Sequence, residues 1–190
     1  MPNSTPTFSN RREARVARTA DIRESIDDDQ RDIEVLYPLA FPDEDLLPLV
    51  RDLLQDPGVA LSLVAMIDSN LAGHVVFTRC GFSGNSEKAA MLGPLAVSPV
   101  HQGQGVGSKL VRAGLQQMEH EDVDRVFVLG DPAYYGRFGF QPGSVVVPPY
   151  PLPAEWQDAW QSLSLAGSDL LRPGKLKLPK LWLQPSLWLP

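Results

Sequence analysis

The residues best suited to chemistry lie between 92 and 140. In Leu92-Gly93-Pro94-Leu95-Ala96-Val97-Ser98-Pro99-Val100-His101-Gln102-Gly103-Gln104-Gly105-Val106-Gly107-Ser108, an apolar run stops at Ser98-Pro99 and glycines follow at 103, 105 and 107. That spacing strips side chains from a turn opening a helix, so consecutive backbone N–H groups can face one anionic group. The positive end of the helix dipole adds to the attraction, and a diphosphate is the natural ligand. A phosphate-binding P-loop would end in Gly-Lys-Ser/Thr, whereas here Lys109 comes after Ser108. A G-x-G-x-x-G dinucleotide fingerprint counted from Gly103 puts Ser108 where the last glycine belongs, and the loop follows antiparallel strands instead of opening a βαβ unit. The remaining pattern, Gln/Arg-x-x-Gly-x-Gly/Ala, is met by Gln102, Gly105 and Gly107.

A second run, Val126-Phe127-Val128-Leu129-Gly130-Asp131-Pro132-Ala133-Tyr134-Tyr135-Gly136-Arg137-Phe138-Gly139-Phe140, reads as a buried strand, a short capped helix and a glycine stop. Together the two runs resemble the GNAT superfamily of acyl-CoA-dependent N-acetyltransferases, in its bacterial branch with a Gly-Asp-Pro-x-Tyr-Tyr-x-Arg-Phe-Gly-Phe motif. The similarity covers residues 59–147 well and the two ends loosely.

The resemblance implies an α/β GNAT fold: a central mixed, mostly antiparallel sheet flanked by helices, with acetyl-CoA in a cleft between splayed strands ending near Val97 and Leu129. It implies that the backbone of Leu95, Ala96 and Val97 pairs with the pantetheine arm. One of those N–H groups would stabilise the charge that develops on the carbonyl oxygen. Gln102, Gly103, Gln104, Gly105, Val106, Gly107 and Ser108 would cradle the pyrophosphate. Tyr135, four residues before Gly139, falls where the family carries the tyrosine that protonates the CoA sulfur. A phenol with an ordinary pKa of about 10 keeps its proton at neutral pH and can yield it to a thiolate. Tyr134 reads as packing. The implied activity is acetyl transfer from acetyl-CoA to a primary amine of a small molecule or peptide, with no metal. The alternative is a CoA-binding sensor or interaction protein with little turnover.

No dedicated base stands out. His74 has apolar neighbours and reads as a core histidine, Glu87 as a solvated turn carboxylate, and Asp131 as a helix cap. Direct attack by an amine that has lost its proton to solvent needs none of them. His101, Lys109 and Arg112 flank the loop, where solvated surface charge and phosphate contact are both open; for Arg137 phosphate contact and an intramolecular salt bridge are both open.

The elements around these residues follow from periodicity. Ala14 to Thr19 is expected as a short strand, and Asp21 as the N-cap of a helix carrying Ile22, Ile26, Ile33 and Leu36, stopped by Pro42. A helix is expected over 43–54, and a hairpin from strands 59–67 and 71–80 around Asp68-Ser69-Asn70. A strand over 89–97, a helix over 105–120, a strand over 125–129 and an extended segment over 140–147 complete the core. Beyond Pro148 come all four tryptophans (156, 160, 182 and 188), with a helix expected near 155–163 and one or two terminal strands. Residues 1–12 are expected to form a disordered tail. Residues 13–190 are expected to form one domain, with a CoA-binding core at 89–140 and a Pro/Trp-rich part at 148–190.

The 190 residues, 43% of them hydrophobic, suffice for one domain with a sizeable core. A net charge of −6 argues against nucleic-acid binding, which needs a basic surface. The polar first ten residues and the lack of a long apolar run give the expectation of a soluble, cytoplasmic protein without membrane contact. One cysteine, Cys80, rules out an internal disulfide framework. The tryptophan-rich tail is expected either to cover the sheet or to form a homodimer interface.

Overall fold

The computed structural model describes residues 19–56, 58–83, 86–165, 167 and 173–188. The expected tail over 1–12 and most of the expected strand over 14–19 lie outside them.

The β-branched hairpin forms β2 (Ala60–Ile67) and β3 (Asn70–Phe82), joined by Asp68 and Ser69 at φ 50° and 63°. Two left-handed residues make the tight turn that matches strand twist. β1 (Asp21–Glu24) adds antiparallel to β2, with Ile22 opposite Ala65. This corrects the expected helix start at Asp21. Strand pairing with β2 outweighs the loose helical spacing of Ile22 and Ile26, and α1 begins only at Gln30 (Gln30–Ala40). The acidic run Asp27–Asp29 is a single 3-10 turn leading into it. Arg23 clamps Asp29 bidentately at 2.6 and 2.8 Å, and the Ile26 N–H donates to the same carboxylate at 2.8 Å. These bonds hold the Asp29 carboxyl below its usual range, the Arg23 contact being the largest cause.

α1 buries Ile33, Leu36 and Tyr37, and α2 (Leu47–Leu54) buries Leu49, Val50 and Leu53. The second helix starts four residues later than expected, leaving 41–46 as a connecting loop. Arg51 on α2 grips Glu34 on α1 at 2.9 and 2.8 Å, fixing the pair that carries this loop.

β4 (Lys88–Val97) lies antiparallel to β3, and β5 (Arg125–Leu129) lies parallel to β4. Between them runs α3 (Val106–His120), with Leu110, Val111, Gly114 and Met118 buried. A Cβ at Gly114 would overlap the Phe77 ring, so glycine there lets the helix lie close on the sheet. α4 (Pro132–Tyr135) and a 3-10 turn over Gly136–Phe138 follow β5, and Gly139 at φ 94° ends the unit.

The segment expected to be extended forms two short strands, β6 (Gln141–Pro142) and β7 (Val146–Val147). The helix expected near 155–163 is a 3-10 stretch over Ala154–Ala159 followed by β8 (Trp160–Ser164), which pairs with β5 and β6. Trp156 and Trp160 have helical spacing, yet Trp160 and Gln161 are buried because their strand closes the sheet beside β5. β9 (Gly174–Lys177) pairs with β3 and β7. The main strand order is β1-β2-β3-β4-β5-β8-β6.

α3 and α4 cover one face, where Leu63, Val75, Phe77, Leu92, Val126 and Val128 are buried. The other face is covered by α1, α2 and the tail, whose Trp160, Trp182 and Trp188 are buried against Met91 and Phe127. Trp182 and Trp188 therefore cover the sheet. Among the described residues, no helix is long and apolar enough to cross a membrane.

Candidate active site

β4 pairs with β5 only from Ala89 opposite Arg125 to Leu92 opposite Val128. On its other side β4 stays bonded to β3 as far as Val97, opposite Gly73. Residues 93–97 therefore turn one backbone edge away from β3 with no partner in β5. At the point of divergence the β3–β4 register slips, with Phe77 opposite Leu92 and Val75 opposite Leu95, so that Gly93 and Pro94 bulge. Gly93 has φ 140°, a conformation that suits glycine, and its peptide bond to Pro94 is cis. The V-shaped opening places Leu95, Ala96 and Val97 along one arm.

The glycine loop follows the tip of that arm. Gly103 and Gly105 lie at φ 71° and 84°, and a side chain on either would project into open space. Gly105 is the N-cap of α3 and offers no side-chain cap, so the first-turn N–H groups of Val106, Gly107 and Ser108 remain available to an anion. The Gln102 amide donates to the Val97 carbonyl at 3.1 Å, and the Gln104 amide to the Val100 carbonyl at 2.8 Å. Both glutamine side chains thus brace the loop, whose outward surface is backbone. These features fit a diphosphate-bearing cofactor.

On the other arm, Asp131 caps α4 by accepting from the Ala133 N–H at 2.9 Å. Tyr134 and Tyr135 sit edge to face with ring centroids 4.9 Å apart. Tyr134 leans toward the loop: a Cβ on Gly107 would stand 2.5 Å from its hydroxyl oxygen. Arg137 stacks on the Tyr134 ring at 3.9 Å and donates to the Tyr134 carbonyl at 2.9 Å. Arg112 lies 5.3 Å from the Phe138 ring centre. Tyr135 instead rests on Gly130, where a Cβ would overlap its ring, and lines the opening of the V. Burial, with a smaller contribution from Tyr134, pushes the Tyr135 phenol above its usual range, so it is fully protonated at neutral pH.

The V opens through the sheet into a cavity of about 340 Å³ on the face of α1, α2 and the tail. Its wall includes Leu92–Leu95, Leu129–Asp131 and Tyr135 from the V, Phe41, Glu44, Leu46 and Leu49 from the helical region, and Trp182, Leu187 and Trp188 from the tail. Glu44 was not legible as a site residue: within Pro42-Asp43-Glu44-Asp45 nothing in the sequence separates it from its neighbours. Gln161 carries no such sequence signal either. It is fully buried and donates to the Gly130 carbonyl at 3.0 Å, pinning the turn on which Tyr135 rests.

His74 lies on β3, between Val64 of β2 and Ala96 of β4. It is fully buried, with Nδ1 at 2.9 Å from the Tyr37 hydroxyl and Nε2 at 2.8 Å from the Ser62 hydroxyl. Burial lowers its pKa to about 3. A neutral imidazole with both nitrogens engaged has no free lone pair for an amine. Burial likewise raises the Cys80 thiol to about 12.

Residues 23–140 match the sequence model of the acetyltransferase (GNAT) family. The uncharacterized N-acetyltransferase YjhQ of Escherichia coli K12 is 38% identical over 156 residues, spanning 78% of this chain and 86% of YjhQ. The uncharacterized N-acetyltransferase YhbS of the same strain is 36% identical over 121 residues, 63% of this chain and 72% of YhbS. The crystal structure of E. coli YhbS in complex with CoA aligns with a TM-score of 0.79 and 28% identity over 96% of this chain and 97% of that one. A GNAT acetyltransferase from Brucella melitensis in complex with acetyl-CoA aligns with a TM-score of 0.68 and 28% identity, covering 85% and 97% of the two chains. The splayed sheet, the glycine loop and these likenesses agree: the chain belongs to the GNAT family of N-acetyltransferases.

Proposed function

We propose that this acetyltransferase moves the acetyl group of acetyl-CoA to a primary amine by direct attack, across the V between β4 and β5. The observation that carries the reading is the continuity of that opening. Tyr135 on the α3 face and the cavity on the opposite face line one space, with the free edge of 93–97 between them. The CoA and acetyl-CoA complexes of the two structural relatives support the choice of cofactor.

Bound acetyl-CoA would supply a thioester carbonyl as electrophile. The backbone of Leu95, Ala96 and Val97 would receive the pantetheine arm as an added strand, and one N–H would meet the negative charge developing on the carbonyl oxygen. Gly103, Gly105 and the first-turn N–H groups of Val106, Gly107 and Ser108 would hold the pyrophosphate, with Gln102 and Gln104 keeping the loop in shape. The amine nitrogen forms a bond to the acetyl carbon as the carbon–sulfur bond breaks. Tyr135 Oη gives its proton to the departing sulfur, and the proton shed by the nitrogen returns to Tyr135 through solvent. The same burial that raises the phenol also raises the proton affinity of a thiolate leaving into that space, so the transfer stays matched.

The test is release of free thiol from acetyl-CoA by the purified chain in the presence of primary amines, with the acetylated product identified by mass. Saturable, amine-dependent thiol release supports the reading. CoA binding with no thiol release from any amine would favour the sensor alternative.

A further inference from the structure

We infer that the acceptor is a small amphipathic amine, cationic at nitrogen and apolar in its body, seated in the cavity between α2 and the tail. This rests on the acetyltransferase reading above and adds the substrate class.

The size is the first constraint. About 340 Å³ lies at the low end of small-molecule sites and leaves no room for a folded partner. The wall is the second. Leu46, Leu49, Met91, Leu187, Trp182 and Trp188 give it a broad apolar surface. Tryptophan can present a polar N–H, but here both indoles have spent theirs. Trp182 Nε1 donates to Thr78 Oγ1 at 3.0 Å, and Trp188 Nε1 to the Trp182 carbonyl at 2.8 Å. The tryptophans therefore offer rings and no donor. Hydroxyls or carboxylates in the part of an acceptor that rests on these rings would be desolvated without partners, the polar groups of the wall being those of the reacting end and the rim.

Charge is the third constraint. Among the described residues, the charged ones lining the cavity are Glu44 and Asp131, with no Lys, Arg or His. Glu44 is exposed, and its carboxylate has no hydrogen bond or ion pair within the described residues. It stands with Asp131 on the ridge shared with a second cavity of about 370 Å³ lined by Trp156, Ala159 and Ser186. Two carboxylates at the rim of an apolar slot attract an ammonium and repel a carboxylate. Recruitment as the cation precedes proton loss and attack.

The experiment compares acceptors by thiol release from acetyl-CoA with the full chain: phenethylamine and hexylamine against phenylalanine, lysine and a polyhydroxylated aminoglycoside. Phenethylamine should exceed phenylalanine in kcat/KM by at least about 100-fold, since the two differ by one carboxylate that the wall cannot solvate. Glu44→Gln should lower kcat/KM for phenethylamine by about threefold, the modest effect of an exposed charge. Glu44→Lys should lower it further and narrow the gap to phenylalanine. Equal or better turnover of phenylalanine or the aminoglycoside, or an unchanged gap in Glu44→Lys, overturns the substrate class while leaving acetyl transfer intact. No thiol release with any amine, despite CoA binding, overturns the acetyltransferase reading and this inference with it.

Discussion

Acidification should weaken the fold through one residue, His74, and the size of the effect follows from its surroundings. Both ring nitrogens are engaged, Nδ1 by the Tyr37 hydroxyl at 2.9 Å and Nε2 by the Ser62 hydroxyl at 2.8 Å, and Ser62 in turn meets Ser25 at 2.6 Å. A second proton would place an uncompensated charge on a fully buried ring, and Asp29 is the charged group that opposes this burial effect. The folded pKa is thus about 3 against an ordinary 6.5. The unfolded chain binds the proton first, so stability is complete above about pH 6.5 and declines as pH falls toward 3. The slope approaches about 1.4 kcal/mol per pH unit, or roughly 2 kcal/mol between pH 6.5 and pH 5. Asp29, with its lowered pKa, acts in the same direction but only below the ordinary carboxylate range, so the window from 6.5 to 5 isolates the histidine. Urea unfolding at pH 7 and pH 5 should show this loss, and it should shrink in His74→Gln. Should that variant not fold, the His74 ring signals in NMR give the same answer, staying those of a neutral imidazole down to pH 5. A midpoint near 6.5 for those signals would refute the burial argument and reopen His74 as a base.

Three further outcomes follow from the geometry. Gly105→Glu puts a carboxylate at the left-handed N-cap of α3, and CoA affinity by calorimetry should fall by more than about 100-fold with the circular dichroism spectrum retained. Gly130→Ala forces the Tyr135 ring to move, so kcat should drop while CoA affinity is largely kept; an equal loss in both would separate Tyr135 from the reacting end of the cleft. Trp188, 1% exposed and edge to face with Trp160 and Trp182, should cost about 3–5 kcal/mol by urea unfolding when changed to alanine.

Much of the local structure around the glycine loop and Tyr135 was legible because its signals are local. The glycines at 103, 105 and 107, the Asp131-Pro132 helix start and the Tyr135-to-Gly139 spacing each act within a few residues. The hairpin over 60–82 was legible for the same reason. What failed depended on partners distant in sequence. Asp21–Glu24 is a strand because β2 is beside it, and Trp160–Ser164 is a strand because β5 needs a neighbour, although both segments carry apolar spacing compatible with a helix. The cavity proposed for the acceptor is less local still. Glu44 meets Asp131 and Trp188 only once the sheet brings 41–49, 129–135 and 182–188 to one opening. No spacing rule relates those three segments.

The account rests on Tyr135 handing its proton across the V to the leaving sulfur. Tyr135→Phe removes the hydroxyl and keeps the ring that packs on Phe140, Tyr134 and Phe138, so the fold has no reason to change. Turnover and CoA affinity measured on that one variant separate chemistry from binding. The account predicts kcat reduced by at least about 100-fold with CoA affinity within about threefold of the parent. Unchanged kcat would contradict it.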